Sequence, residues 1–123
     1  MIKIITNKID PQELRECCAE HFETMVKFVV DIKSGKMAVG GEMHADGEAL
    51  LIEQGALQAD LWGGNFYPWH DPDERLEYTS FINIRPSEDH PYMEIEDKAI
   101  RRRVRELAES LLLDPAETLE PLS

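Results

Sequence analysis

Glu42, His44 and Asp46 occupy alternate positions in the stretch Lys-Met-Ala-Val-Gly-Gly-Glu-Met-His-Ala-Asp-Gly-Glu, residues 36–48. Extended backbone sends successive side chains to opposite faces. A strand here would turn Met37, Val39, Gly41 and Met43 one way and Ala38, Gly40, Glu42, His44 and Asp46 the other. Same-face neighbours on a strand are about 7 Å apart at Cα, so the two carboxylates and the imidazole can reach one ion if they converge. Such a nitrogen and oxygen set suits Zn, Mn or Fe(II), with His70 or His90 as a further ligand. The same trio can act as a carboxylate-oriented general base. Each residue also has a plainer role: Asp46 opens an Asp-Gly turn, Glu42 opposes Lys27 and His44 sits beside Met25. The spacing is far less specific than His-Glu-x-x-His on a helix. A small metal-assisted, hydrolase-like enzyme is therefore the second reading of this chain.

The first reading is a binding or interaction domain. Residues 63–75 combine two glycines, two prolines and several aromatics, and a connection that long in a compact domain is usually functional or mobile. Trp62, Asn65, Phe66, Tyr67 and Trp69 would supply anchoring area. Asn83 and Arg85 would offer an amide and a guanidinium to an acidic or amide-bearing ligand. The ligand can be a small molecule or a protein, and the same aromatics would serve the symmetric interface of a homo-oligomer. No Gly-x-Ser-x-Gly, phosphate loop, dinucleotide fingerprint or Cys-x-x-Cys is present, so those enzyme classes lack their usual support.

The elements that must position these residues can be read in turn. Met1 to Thr6 is β-branched and suits a strand. Asp10, Pro11 and Glu13 form an N-cap, a first-turn proline and a capping acid, which predicts a helix over residues 11–22 with Leu14, Cys17, Cys18 and Phe22 inward. Residues 24–60 read as successive hairpins. A two-residue turn at Ser34-Gly35 pairs Ile32 with Met37, Val30 with Val39, Phe28 with Gly41 and Val26 with Met43, and sets Lys27 opposite Glu42. Asp46-Gly47 and Gln54-Gly55 supply the next turns, pairing Met43 with Leu50 and Ile52 with Leu57. Gly40 and Gly41 mark a bulge, a gap filled by Phe28, or a close approach of ligand to backbone.

Leu76 to Arg85 is again extended, with Tyr78, Ile82 and Ile84 on one face and Thr79, Phe81, Asn83 and Arg85 on the other. Asp97 caps a last helix over residues 97–112, whose Ile100, Val104, Leu107 and Leu111 keep helical spacing and whose basic residues form a solvated face. Residues 114–123 read as a flexible tail. The fold expected is a single α+β domain over residues 1–113. Its sheet is a mostly antiparallel β-meander of about five or six strands, with one N-terminal and one C-terminal helix packed on one face.

With 123 residues and a formal net charge of −12, the chain is poorly suited to a phosphate backbone or an anionic membrane, which are recognised by Lys and Arg. It carries no apolar run of about 18 residues, nor the pattern of a secretion signal. Cys17 and Cys18 are adjacent and cannot easily form an ordinary disulfide; reduced thiols imply the cytoplasm.

Four blocks taken together resemble a small prokaryotic family catalogued only as a domain of unknown function: Gly40-Gly41-Glu42-Met43-His44-Ala45-Asp46, Asp60-Leu61-Trp62-Gly63, Ile82-Asn83-Ile84-Arg85-Pro86, and Met93-Glu94-Ile95-Glu96-Asp97. The likeness runs from the first helix to the end of the last. It implies a stand-alone single-domain prokaryotic protein and brings no activity, cofactor or catalytic residue with it.

Overall fold

The computed structural model describes residues 1–121. Its elements are β1 (Ile2–Ile5), α1 (Pro11–His21), β2 (Val26–Asp31), β3 (Met37–Gly40), α2 (His44–Glu53), β4 (Leu61–Phe66), β5 (Leu76–Glu77) and α3 (Lys98–Leu111). The five strands form one antiparallel sheet in the order β1-β3-β2-β4-β5. This is an α+β fold, but its strand order is not that of a meander.

α1 starts where the sequence places it. The Asp10 carboxylate accepts from the Gln12 N–H at 2.8 Å, satisfying a donor that the first turn leaves free. α3 starts in the same way, Asp97 accepting from Ala99 and Ile100 at 2.8 and 3.0 Å. Both helices pack on one face of the sheet. There Leu14, Cys17 and Cys18 of α1 and Val104, Leu107 and Leu111 of α3 meet Phe28, Val30, Met37 and Val39. Phe22 is only half-buried, at the end of α1 under the Lys27 ammonium.

The β2–β3 hairpin forms with a register two residues from the one expected: Val30 pairs with Met37 and Phe28 with Val39. The cause is Asp31. Its buried carboxylate accepts from the Lys33 and Ser34 N–H groups and from the Ser34 hydroxyl, and this stabilises a longer loop in place of the tight turn. A shift of two leaves every side chain on its original face, so the core residues are those expected. The Lys27–Glu42 pairing is lost, and Lys27 lies opposite Asn65 of β4 instead.

The larger correction is α2, where two strands were expected. Gly47 is in a helix because it touches the sheet: a Cβ there would lie 3.2 Å from Ala38 Cβ and 3.3 Å from Val29 Cγ2. Gln54-Gly55 ends that helix in a Schellman arrangement, with the Ala56 N–H on the Leu51 carbonyl at 3.0 Å, the Gly55 N–H on Ile52 at 2.9 Å and Gly55 at φ +103°. α2 covers the second face of the sheet through a smaller cluster of Val29, Ala38, Leu51 and Leu61. Both faces are thus covered, by two helices on one side and one on the other.

Although the loop was expected to begin at Gly63, residues 61–66 are an interior strand. Gly64 permits this because a Cβ would lie 2.6 Å from Phe28 Cζ, so the glycine gap filled by Phe28 is here and not at Gly41. The expected strand over residues 76–85 shrinks to Leu76–Glu77. It gives way to two isolated bridges, Thr79 with Glu94 and Arg85 with His90, and a 3-10 turn at Phe81–Asn83, capped by the Ser80 hydroxyl. Residues 114–121 lie against the domain. The Arg75 guanidinium donates to the carbonyls of Asp114 and Glu117, Arg15 donates to that of Glu120, and Leu119 is buried. The last two residues of the expected tail lie outside the described residues.

Candidate functional site

Glu42, His44 and Asp46 do not share a strand face. β3 ends at Gly40, Glu42 is in an exposed turn, and His44 and Asp46 open α2. Residues two apart on a helix differ by about 200° around its axis, so the imidazole and the Asp46 carboxylate point apart. Among the described residues, no group of three or more His, Cys, Asp or Glu side chains is placed to hold a metal ion. The imidazole is engaged inside the fold, its Nε2 being 2.8 Å from the Gly64 carbonyl. A carbonyl only accepts, so Nε2 carries the proton. Burial, reinforced by the Lys27 charge, holds this histidine below its ordinary pKa.

Gly40 and Gly41 are accounted for by the first strand. Both have positive φ, and Cβ atoms there would lie 2.8 Å from the Met1 carbonyl oxygen and 2.7 Å from Ile2 Cγ1 respectively. The close approach to backbone is made by β1.

The expected aromatic and polar binding residues divide by burial. Phe66 and Trp62 belong to the core. The Arg85 guanidinium lies 3.9 Å from the Trp62 ring centroid, donates to the Ala59 carbonyl at 2.9 Å and is buried. That burial pulls its pKa down, with Glu88, Glu48 and Asp60 acting in the opposite direction. Asn83 is fully buried and imitates a strand: its Oδ1 accepts from the Gly63 N–H at 2.9 Å, while Nδ2 donates to the Gly63 and Met93 carbonyls at 3.0 and 2.9 Å. Its amide is therefore occupied by backbone. Asn65 and Tyr67 share the Glu77 carboxylate, and Tyr67 stacks on His70. Trp69 donates to the Glu23 carbonyl and walls a depression of about 410 Å³ with Arg15, Ala19, Thr24 and Pro121.

The exposed apolar surface lies elsewhere. Of the eight large apolar side chains that are exposed among the described residues, Met43, Phe81, Ile84, Tyr92 and Met93 are five; Met1, Ile52 and Leu57 are the others. Phe81 is 76% and Tyr92 53% exposed. Four of the five stand on two backbone segments that the Asn83 amide ties together, residues 81–84 and 92–93. The Ser80 N–H reinforces that tie by donating to the Met93 carbonyl at 3.0 Å. Phe81 and Met43 both line a depression of about 200 Å³, together with Lys27, His44 and Ser80.

The sequence contains the signal for this face in Pro86 and Pro91, which frame a turn and leave Tyr92-Met93 outside any periodic element. The regular alternation over residues 78–84 hid Phe81 by assigning it to a strand.

These features define a small α+β domain whose polar candidates are largely consumed by the fold and which exposes a group of large apolar side chains. The chain belongs to the family described as protein of unknown function (DUF5674), whose model matches residues 3–111. No curated protein and no solved structure matches it.

Proposed function

We propose that this chain is a protein-interaction domain and that the face built from residues 81–84 and 92–93, with Met43, is its binding surface. The carrying observation is the gathering of five exposed large apolar side chains, Met43, Phe81, Ile84, Tyr92 and Met93, on adjoining segments of a chain with a net charge of −12. Clustered apolar groups at a surface are a mark of interfaces, and aromatic anchors contribute most of the energy when a partner covers them. All five residues fall within the span matched by the family model. Cys17 and Cys18, free and buried, fit a reducing, cytoplasmic setting. No helix among the described residues is long and apolar enough to cross a membrane.

A second reading places a small ligand against Trp69, because that depression of about 410 Å³ has the size of ordinary ligand sites. It takes one wall from Pro121, which lies outside the matched span, and ranks below the first for that reason.

The test is photo-crosslinking in the cells that make the protein, with a benzophenone side chain at position 81 or 92 and, as control, at the exposed Leu57. Crosslinks to a discrete partner are expected from the first two positions and not from the third. Equal or absent labelling at all three would overturn the assignment.

A further inference from the structure

The segment that presents Tyr92 and Met93 is acidic throughout. Residues 87–97 carry Glu88, Asp89, Glu94, Glu96 and Asp97 and no Lys or Arg, and all five carboxylates are on exposed residues. Some are partly committed within the chain. Glu94 pairs with Arg101 at 2.8 Å, Asp97 caps α3, and Glu88 lies 3.9 Å from the Arg85 guanidinium. Asp89 and Glu96 have no ion-pair partner among the described residues, and Asp89 is held at the tip of its turn at φ 57°.

Resting on the interaction-face reading, we infer that the partner of this face is a cationic amphipathic protein segment, with apolar side chains on Phe81, Ile84 and Tyr92 and Lys or Arg against Asp89 and Glu96. Complementary charge at the rim sets which partners are admitted and how fast they arrive, while the apolar centre holds them. The field of the whole chain acts in the same sense, since a net charge of −12 attracts cationic segments from a distance and repels acidic ones. A second copy is a poorer occupant, because a two-fold contact through this face would bring its acidic rims together.

The experiment uses the full chain, labelled with ¹⁵N, and two synthetic amphipathic peptides of one leucine pattern, with lysine in one and glutamate in the other at the polar positions. The lysine peptide is expected to shift the amides of residues 81–84 and 88–94, to weaken as salt is added, and to lose about tenfold in affinity on Asp89→Lys/Glu96→Lys. The glutamate peptide is expected to leave those amides unmoved. Asp89→Asn/Glu96→Gln, which removes charge with little change of shape, should lose affinity in the same direction.

Binding of the glutamate peptide at these amides as tightly as the lysine peptide would overturn the charge assignment and leave the interaction face standing. Binding of the lysine peptide elsewhere, unaffected by Phe81→Ser, would overturn the inference while the crosslinks from position 81 decide separately whether the face is used. Absence of binding by either peptide also overturns it.

Discussion

His44 stands at the first turn of α2, where burial first, then the neighbouring Lys27 and the positive end of the helix dipole, disfavour a charged imidazole against the opposing pull of the Gly64 carbonyl. Its Nε2–H is bonded to the Gly64 carbonyl, so the neutral ring ties α2 to β4. An unfolded histidine titrates near about 6.5, and the folded one below that. Above the unfolded value both states are neutral and the contribution to stability is complete; as pH falls through the folded value it is lost, because the unfolded chain binds the proton more readily. Urea denaturation should therefore show stability falling below about pH 6.5, with a shallower fall in His44→Gln. Identical slopes in the two proteins would refute the assignment.

Asn83 acts by hydrogen bonding rather than by charge. Asn83→Leu leaves the Gly63 N–H and the Gly63 carbonyl without the Asn83 amide, while the Met93 carbonyl keeps the Ser80 N–H. At about 1–3 kcal/mol for each buried unsatisfied group, a loss of roughly 2 kcal/mol or more is expected in the same denaturation experiment. A loss under about 1 kcal/mol would mean that the loop repacks around the apolar side chain.

At the scale of elements, glycine separates what was legible in the sequence from what was not. The caps of α1 and α3 are local, since a side-chain oxygen and the N–H groups two or three residues on lie in one stretch of chain, and both were readable from Asp10 and Asp97. The faces of β2 and β3 were readable too, because alternation survives a shift of two. Gly47 and Gly55 were not, since Asp-Gly and Gln-Gly belong equally to a hairpin turn and to a helix that touches a sheet and ends in a Schellman cap. The choice depends on Val29 and Ala38 beneath Gly47, which are distant in sequence. The shared strand face expected for Glu42, His44 and Asp46 was misread for the same reason, since residues 44–53 are α2.

Among the positive-φ glycines, Gly41 and Gly55 separate the backbone cost from the steric one. At Gly55 nothing lies within 4 Å of an added Cβ, whereas at Gly41 it would meet Ile2 at 2.7 Å. Gly55→Ala should cost about 1 kcal/mol for the left-handed backbone alone, and Gly41→Ala clearly more, as β1 is pushed from β3. Equal losses on thermal denaturation would show that β1 yields freely at that edge.

For the whole molecule, the aromatic residues divide into those that hold the fold and those that do not. The sequence suggested the cluster around Trp62, Phe66 and Trp69 as the binding surface, because aromatics beside glycine and proline read as a loop. In the folded chain Trp62 and Phe66 are core, and Phe81 and Tyr92, which alternation and turn chemistry had absorbed, are exposed. Composition alone could not make this division, since burial depends on which strands become interior.

The division predicts a contrast in stability. Phe81→Ser/Tyr92→Ser removes two aromatic rings from solvent-exposed positions and should change the free energy of unfolding by no more than about 0.5 kcal/mol per site. Trp62→Ala removes one ring from the core, together with the stacking surface of the Arg85 guanidinium. That change should cost about 3–5 kcal/mol. If the double variant were destabilised as strongly as the core variant, Phe81 and Tyr92 would be packing residues of the domain, and the apolar face would lose its standing as a surface kept free for a partner.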